Sequence, residues 1–357
     1  MNQHLKLHPV TERPINAETP LNSLGDAHTS TNLFYIRNHF DIPELDSKQY
    51  QLKINGSVTD PLELTLKQLN DFPEKSLTIV MECAGNGRSS MKPAIKGTPW
   101  NLGAISQAQF AGTPLHYVLE AANLTKDTKE IRFTGADHGL LRTGETENYI
   151  RSLPLEIALH PDTILAWEMN GENLSPQHGF PLRLVVPGWY GMASVKWLRE
   201  ITALTKPFEG FFQSQEYVYI GEQGIPDQTP VTFMRVRSLI IEPESGSSFK
   251  KDGIRISGIA WSGDGAVKKV ELSFDGGNSW IEAALQSTSS IYGVRRWIYD
   301  WQPKERGKYN IIARAADAAG NVQPVEPRWN KGGYGNNVVH EIEVAFDGEI
   351  QNEKILD

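Results

Sequence analysis

The pattern of the sequence changes at about Phe233, and this change limits the folds that the chain can adopt. Before that point, short apolar runs alternate with stretches of helical spacing, as where Leu115, Val118, Leu119 and Ala122 mark one helix face. Beyond it the helical spacing stops, and apolar and polar residues alternate in short strands. A chain of 357 residues also exceeds the size at which a single core usually stops growing. The sequence therefore predicts an α+β domain followed by an all-β domain.

We place the domain boundary between residues 220 and 237, where a loop rich in glycine and proline separates the two patterns. Several short strands at regular spacing are typical of an immunoglobulin-like β-sandwich. The predicted division is an extended N-terminal arm over residues 1–30, an α+β domain over 31–233, a sandwich over 234–346 and a tail over 347–357.

Apolar periodicity and turn residues predict the main elements. In the first domain we expect strands over residues 50–54, 77–81, 130–134 and 182–186, and helices over 65–72 and 113–122. In the second we expect strands over 253–259, 267–273, 280–283 and 309–315, with hairpin-type turns at 275–278 and 319–321.

Charge and hydropathy exclude several classes of protein. A net charge of -8 argues against a sequence-independent nucleic-acid binder, which needs clustered Lys and Arg in excess. No stretch approaches the ~20 apolar residues that span a bilayer, so no membrane span is expected. Residues 1–16 lack the apolar segment of an export signal, which predicts a cytoplasmic protein.

Cys83 is the only cysteine, which excludes intrachain disulfides and metal sites built from several thiolates. It follows the apolar run 77–80 and precedes Gly85, Gly87 and Arg88. Glycine lets the backbone approach a bound group closely, and a nearby cation or metal favours the thiolate. A solitary cysteine is also often a small buried apolar residue, and both interpretations stay open on these residues alone.

Several cations lie in apolar or glycine-bounded surroundings. Arg183 interrupts the apolar run 182–186, and an unpaired buried charge there would cost several kcal/mol or more. A single such cation is best explained by an acidic neighbour. Five of them within the first 200 residues of a net acidic chain favour a common anionic ligand, one that could carry phosphate; they are Arg37, Arg88, Lys96, Arg183 and Lys196.

The ordered motifs of the first 200 residues resemble those of the sulfite oxidase family of molybdenum enzymes. They are Cys-Ala-Gly-Asn-Gly-Arg at 83–88, Lys-Gly-Thr-Pro-Trp at 96–100, Trp-Glu-Met-Asn-Gly at 167–171, His-Gly-Phe-Pro at 178–181, Val-Pro-Gly at 186–188 and Ser-Val-Lys-Trp at 194–197. The resemblance covers both domains and implies an α+β molybdopterin-binding domain with an immunoglobulin-like dimerisation domain.

The resemblance also implies roles for individual residues. The molybdenum ligand would be Cys83, and the substrate pocket would hold Arg37, Arg88, Trp100 and the catalytic tyrosine Tyr217. The pterin and phosphate contacts would be Tyr35, Ile36, Arg37, Asn38, His39, Asp137, His178, Arg183, Ser194, Val195 and Lys196.

The sequence departs from the family pattern at Gly87, where the animal members have arginine. A further arginine from the second domain would be Arg295 or Arg296, and the resemblance does not choose between them.

The activity implied is oxidation of sulfite to sulfate by oxo transfer on a molybdenum-molybdopterin cofactor, in a homodimer. The chain carries no haem-attachment motif, so we expect no haem and a separate electron acceptor, such as a cytochrome c or oxygen. Two alternatives remain at this point. One is a molybdopterin reductase of nitrate or a sulfoxide, and the other is a non-catalytic binding or assembly protein.

Overall fold

The computed structural model describes residues 5–250, 253–288 and 290–347, so that most of the predicted tail lies outside it. The chain forms two compact units. The first comprises Met1–Pro20, His28–Met234 and Trp329–Asn336, and the second comprises Leu21–Ala27, Arg235–Arg328 and Asn337–Asp357. Each unit therefore contains a short segment from a distant part of the sequence.

The first unit is a mixture of strands, short helices and long loops, as the sequence predicts. Its strands are β1 His8–Glu12, β2 Ile15–Glu18, β3 Gln51–Gly56, β4 Leu62–Thr65, β5 Lys75–Glu82, β6 Ile105–Pro114, β7 Glu130–Leu140, β8 Thr146–Pro154, β9 Ile164–Met169, β10 Glu172–Asn173, β11 Arg183–Val185, β12 Leu198–Leu204, β13 Val218–Tyr219 and β14 Thr229–Pro230. Its α-helices are α1 Leu66–Leu69, α2 Leu115–Ala121 and α3 Leu155–Ala158, and Phe212–Glu216 forms one π-helical turn.

Two five-stranded sheets form the body of this unit. One has the order β10-β9-β6-β5 with β11 also paired to β9, and the other has the order β4-β3-β12-β7-β8. All pairings are antiparallel except that of β3 with β12. The predicted strands and helices of this region all occur, although the α-helix at Thr65 ends at Leu69, three residues before the predicted end. Thr65 and Gln68 close a capping box at its start.

The predicted extended arm instead contains a hairpin. Strands β1 and β2 pair antiparallel, and Ala17 forms a further backbone bridge with Ile36. Asn16 is buried, and its side-chain oxygen accepts a hydrogen bond from the Asn38 amide at 2.8 Å. The polar composition of the arm reflects these internal hydrogen bonds.

The second unit is all β. Its strands are β15 Arg237–Glu242, β16 Ser248–Phe249, β17 Ile254–Trp261, β18 Val267–Ser273, β19 Ile281–Leu285, β20 Arg295–Trp301, β21 Gly307–Asp317 and β22 His340–Phe346, in the order β15-β17-β20-β19-β18-β21-β22-β16. Ile240 of β15 and Ile311 of β21 lie in the same apolar core although they belong to opposite halves of this order. The sheet therefore folds over on itself, which confirms the predicted sandwich. Among the residues that the structure describes, no helix has the length and apolar character needed to cross a bilayer.

Candidate active site

Two neighbouring cavities in the first unit collect nearly all the predicted site residues. The first is lined by Tyr35, Arg37, Asn38, His39, Cys83, Asp137, His178, Arg183, Ser194, Lys196 and Tyr217, among others. The second, of about 360 Å³, is lined by Arg37, Cys83, Arg88, Lys96, Trp100 and Tyr217, among others. Ile36 and Val195 line neither cavity, although both are buried and both of the chain neighbours of each line the first. Arg37, Cys83 and Tyr217 are common to both, so the cavities meet at these three side chains.

Cys83 lies where the chain leaves strand β5. Its amide donates to the Ala104 carbonyl at 2.9 Å, and its carbonyl accepts from the Asn86 amide at 2.9 Å, which fixes a tight turn after the strand. The thiol is buried and free. Burial raises the pKa of the Cys83 thiol, while Arg37 and Arg88 act to lower it. A cationic group or metal at this position would therefore be needed to favour the thiolate.

The first cavity holds an excess of buried positive charge. Arg183 is buried, and its guanidinium donates to the carbonyl of His178 at 3.0 Å and to that of Ser194 at 3.4 Å. Lys196 donates to the Gln177 carbonyl at 2.8 Å and to the side chain of Asn38. Within the described ranges, none of the ion pairs involves Arg37, Arg183 or Lys196.

Burial is the main influence on the pKa values of these groups. It lowers the pKa of Arg183 to about 10 and that of Lys196 well below its usual value. It also lowers the pKa of His178 to about 3, so this imidazole is neutral. Neutral carbonyls accept from the Nη1 and Nη2 atoms of Arg183 and from Lys196, but a carbonyl does not neutralise a positive charge, so the cavity is suited to an anionic ligand.

Asp137 is the acidic side chain in the lining of the first cavity. It is buried, and its Oδ1 atom has no hydrogen-bond partner among the residues that the structure describes. Burial raises its pKa, and the nearby Lys196 opposes this rise. A buried carboxylate oxygen without a donor is costly, so this atom is suited to a ligand that carries N–H groups.

Arg88 is held in the second cavity by neutral groups. Its Nε donates to the Gly332 carbonyl at 3.0 Å and its Nη1 to the Thr98 carbonyl at 2.9 Å. A Cβ atom added at Gly85 would lie 2.7 Å from Nη2 of Arg88, so glycine is needed there for the guanidinium to occupy its place. Trp100 is fully buried in the same wall.

Tyr217 is buried at the border of the cavities. Its hydroxyl lies 2.6 Å from Nε2 of His39, and burial lowers the pKa of His39 well below its usual value. Burial also raises the pKa of Tyr217 to about 12, so the phenol is protonated. The His39 ring in turn stacks on Tyr149 with centroids 4.3 Å apart. The phenol is thus held by a neutral imidazole of fixed orientation.

Two buried side chains of this site do not belong to the predicted set. Arg151 lies with its guanidinium carbon 5.4 Å from the centre of the Tyr217 ring, and Tyr334 lies with its ring 5.2 Å from that of Tyr217. The sequence does carry a signal for Arg151, because period-two alternation on β8 places it on the same face as the buried Tyr149 and Leu153. No local pattern in the sequence indicates Tyr334, since it belongs to a segment that lies far along the chain from the other site residues.

Fold and site together define a protein with a cavity suited to an anionic, N–H-bearing group beside a single buried thiol, next to a cavity suited to a small anion. A family model described as oxidoreductase molybdopterin binding domain matches residues 39–212, and one described as Mo-co oxidoreductase dimerisation domain matches residues 228–347.

Individual relatives agree with these matches. Mitochondrial sulfite oxidase of Rattus norvegicus is 35% identical over 96% of this chain, which spans 66% of the rat protein. Sulfite oxidase of Arabidopsis thaliana is 33% identical over 95% of this chain and 94% of the plant protein. The crystal structure of the sulfane dehydrogenase SoxCD from Paracoccus pantotrophus superposes on this chain with a TM-score of 0.85 and 30% sequence identity. The match covers 98% of this chain and 90% of that chain. The chain belongs to the sulfite oxidase family of molybdopterin-dependent oxidoreductases.

The residues of the first cavity fit a molybdopterin. Arg183 and Lys196 would supply positive charge for a phosphate, and the Nε atom of Arg183 is buried without a hydrogen-bond partner among the described residues. The unpartnered Oδ1 of Asp137 suits the N–H groups of a pterin ring. Cys83 offers the soft sulfur ligand that molybdenum would need beside this pterin.

Arg295 and Arg296 lie on strand β20 of the second unit. Whether either takes part in the reaction stays a prediction. The C-terminal residues that line the second cavity are Lys331, Gly332 and Tyr334.

Proposed function

We propose that this protein oxidises sulfite to sulfate with a molybdenum-molybdopterin cofactor and passes the two electrons to a separate acceptor. The observation that carries the proposal is the meeting of two cavities at Arg37, Cys83 and Tyr217, one suited to the pterin and one to a small oxyanion.

In this proposal Cys83 ligates the metal, and Arg183, Lys196, His178 and Asp137 hold the pterin and its phosphate. The bound molybdenum centre supplies an oxygen atom to the substrate and accepts two electrons. The protein contributes binding, orientation and a fixed pattern of charge, which are its usual means of accelerating such a reaction.

Arg37 and Arg88 would bind the sulfite dianion. Guanidinium groups match paired oxyanion atoms with two parallel hydrogen bonds, and both arginines line the second cavity without an acidic partner among the described ion pairs. Lys96 lines the same cavity and adds charge. Trp100 is fully buried there and limits the entry of water.

Tyr217 would donate a hydrogen bond at the reacting atoms. Its phenol is protonated, because burial raises the pKa to about 12. In the tautomer with its proton on Nε2, the neutral His39 donates to this hydroxyl oxygen at 2.6 Å, so the phenol is positioned and its own proton stays available to the substrate.

The test is metal content and sulfite-dependent ferricyanide reduction on one purified sample, with nitrate and methionine sulfoxide offered alongside a reduced dye. Near-stoichiometric molybdenum with sulfite turnover supports the proposal. Molybdenum in a protein that does not turn over sulfite would instead favour a reductase of nitrate or a sulfoxide. If the protein contains no molybdenum after expression in a host that makes the cofactor, the proposal that it is an enzyme is rejected, and a binding or assembly protein is favoured.

A second candidate substrate is sulfane sulfur. The sulfane dehydrogenase SoxCD shares the fold over 98% of this chain. Glutathione persulfide in the same ferricyanide assay separates the two candidates, since preference for the persulfide over sulfite would assign the chain to this second reaction.

We further propose that the protein is a homodimer, supported by the match of residues 228–347 to a dimerisation domain. Light scattering coupled to size-exclusion chromatography gives the mass directly, and a monomer at micromolar concentration would contradict the proposal. The electron acceptor is proposed to be a cytochrome c or oxygen, which stopped-flow reoxidation of the sulfite-reduced enzyme distinguishes. Cytoplasmic residence stays a prediction.

A further inference from the structure

A short C-terminal segment forms part of the second cavity. This segment, Trp329–Asn336, is here called the strap; it belongs to the first unit although it lies within the sequence matched by the dimerisation domain. Gly332 and Tyr334 of the strap line the cavity together with Arg88. The strap therefore contributes directly to the place where the proposed substrate binds.

The strap is fastened to the loop that carries Cys83 and Arg88. The Gly335 amide donates to the Ala84 carbonyl at 2.8 Å, and the Asn336 side chain donates to the Gly87 carbonyl at 2.8 Å. The fully buried Asn330 holds Tyr334 at both backbone groups, accepting from its amide at 3.0 Å and donating to its carbonyl at 2.8 Å. These contacts fix the Tyr334 backbone relative to the loop.

The Arg88 guanidinium lies over the Tyr334 ring. The guanidinium carbon lies 5.3 Å from the ring centre, within the range of a cation–π interaction. The carbonyls of Gly332 and Thr98 accept hydrogen bonds from the Nε and Nη1 atoms of the same guanidinium. Two carbonyls and the Tyr334 ring, all neutral, thus set the position of the Arg88 guanidinium, and they leave its charge available to an anion.

The Tyr334 hydroxyl acts on the acidic side chain of the cavity lining. It donates to Oε1 of Glu216 at 3.1 Å, while Arg142 lies 3.4 Å from Oε2 of the same carboxylate. Both oxygens of Glu216 therefore have a partner other than Arg88.

We infer that Tyr334 is a positioning residue that orients Arg88 for oxyanion binding. The inference rests on the proposed function, which it deepens. Loss of the ring should weaken anion binding, whereas loss of the hydroxyl alone should have a smaller effect.

The experiment compares the holoenzyme carrying Tyr334→Phe, which keeps the ring, with Tyr334→Met, which keeps similar volume without a π face. Calorimetric titration with sulfate, the proposed product, gives the Kd, and steady-state assays give KM and kcat for sulfite. We expect Kd and KM to rise about tenfold in the Met variant and less than about threefold in the Phe variant, with kcat less affected. Tyr309→Leu on β21 is the control, since it alters a tyrosine of the second unit.

A wild-type Kd in a folded Met variant would overturn the inference, as would an equal loss in the Phe variant. If the Met variant does not fold, stepwise fluorination of phenylalanine at position 334 weakens the ring quadrupole without changing its shape. The Kd should then rise with each fluorine, and a constant Kd would overturn the inference. Sulfate binding without sulfite turnover would instead reject the proposed reaction and leave the role of Tyr334 intact.

Discussion

Cys83, Arg37 and Tyr217 determine at the residue scale how the site is organised, because each faces both cavities. A thiol at this border could bind a metal held from one side while the substrate enters from the other. Arg37 could likewise serve cofactor and substrate. Changes to these residues should therefore affect chemistry far more than folding.

Replacement of Cys83 by serine should abolish turnover and preserve the fold. A hydroxyl is a much poorer soft-metal ligand than a thiolate. Mutation of a group that only hydrogen-bonds to a metal ligand typically lowers metal affinity or activity about 10–100-fold. Loss of the ligand itself should therefore lower sulfite turnover by more than about 100-fold. The measurement is ferricyanide reduction, with circular dichroism as the control for folding. Wild-type turnover in the serine variant would remove Cys83 from the mechanism.

Gly85→Ala should disturb Arg88 without destabilising the protein. The added Cβ would lie 2.7 Å from Nη2 and 2.8 Å from Cζ of Arg88, so the flexible guanidinium must move while the backbone can stay. We expect the KM for sulfite to rise about tenfold and the melting temperature to change little, because a displaced charge-assisted hydrogen bond is worth about 1.5–3 kcal/mol.

The matched control is Gly25→Ala, whose added Cβ meets nothing within 4 Å. It should leave KM unchanged. A Gly85→Ala variant with wild-type KM would show that the placement of Arg88 does not govern substrate binding.

The sequence predicted those site residues that lie in contiguous motifs. Cys83 and Arg88 occur within one motif of six residues, and their proposed roles rest on the resemblance of that motif, because the strand-to-glycine pattern alone also allowed a small buried cysteine. Tyr334 reaches Arg88 only through the strap, and no local pattern connects residues so far apart. Pairing across long sequence separations depends on tertiary packing, which periodicity does not encode.

At the scale of elements, the predictions succeeded where one face of a strand is buried. Strand β18 has the predicted bounds, and its antiparallel pairing with β19 confirms the turn at 275–278. Alternation there is enforced by the sandwich core. The hairpin of β1 and β2 escaped prediction because it is short and polar, and because its hydrogen bonds to other parts of the chain stabilise it.

His340, at the start of β22, should make the second unit sensitive to acid. Its Nδ1 accepts a hydrogen bond from the Ile240 amide at 3.0 Å, and burial, with Arg237 nearby, lowers its pKa to about 4. The unfolded chain, with a histidine pKa of about 6.5, therefore binds more protons between these values. The contribution of His340 to the free energy of unfolding should be fully present above about pH 6.5. It should fall as the pH is lowered toward 4, by up to about 3 kcal/mol.

The measurement is urea unfolding at pH 7 and pH 5 for the wild type and for His340→Asn, whose side-chain oxygen can accept the same hydrogen bond. The variant should lose less stability than the wild type on acidification. An identical loss in both proteins would show that His340 is not the group that titrates.

At the scale of the whole molecule, the two units are interleaved in sequence. The first unit needs Trp329–Asn336, and the second needs Leu21–Ala27. The predicted boundary near residue 233 lies close to the break after Met234, but a single boundary cannot describe this exchange. Because each unit is completed by a segment embedded in the other's part of the chain, unfolding one should release a segment that the other requires.

The chain should therefore unfold in one cooperative transition that responds as a whole to the cofactor. A ligand that binds only the folded state stabilises whatever unfolds with its site. If the units unfold together, protein from a host unable to make the cofactor should melt in a single endotherm at lower temperature than the loaded protein, with calorimetric and van't Hoff enthalpies in agreement. Differential scanning calorimetry of both samples tests this. A second endotherm whose temperature is the same with and without the cofactor would show that the sandwich unfolds independently, and that the exchanged segments do not couple the two units.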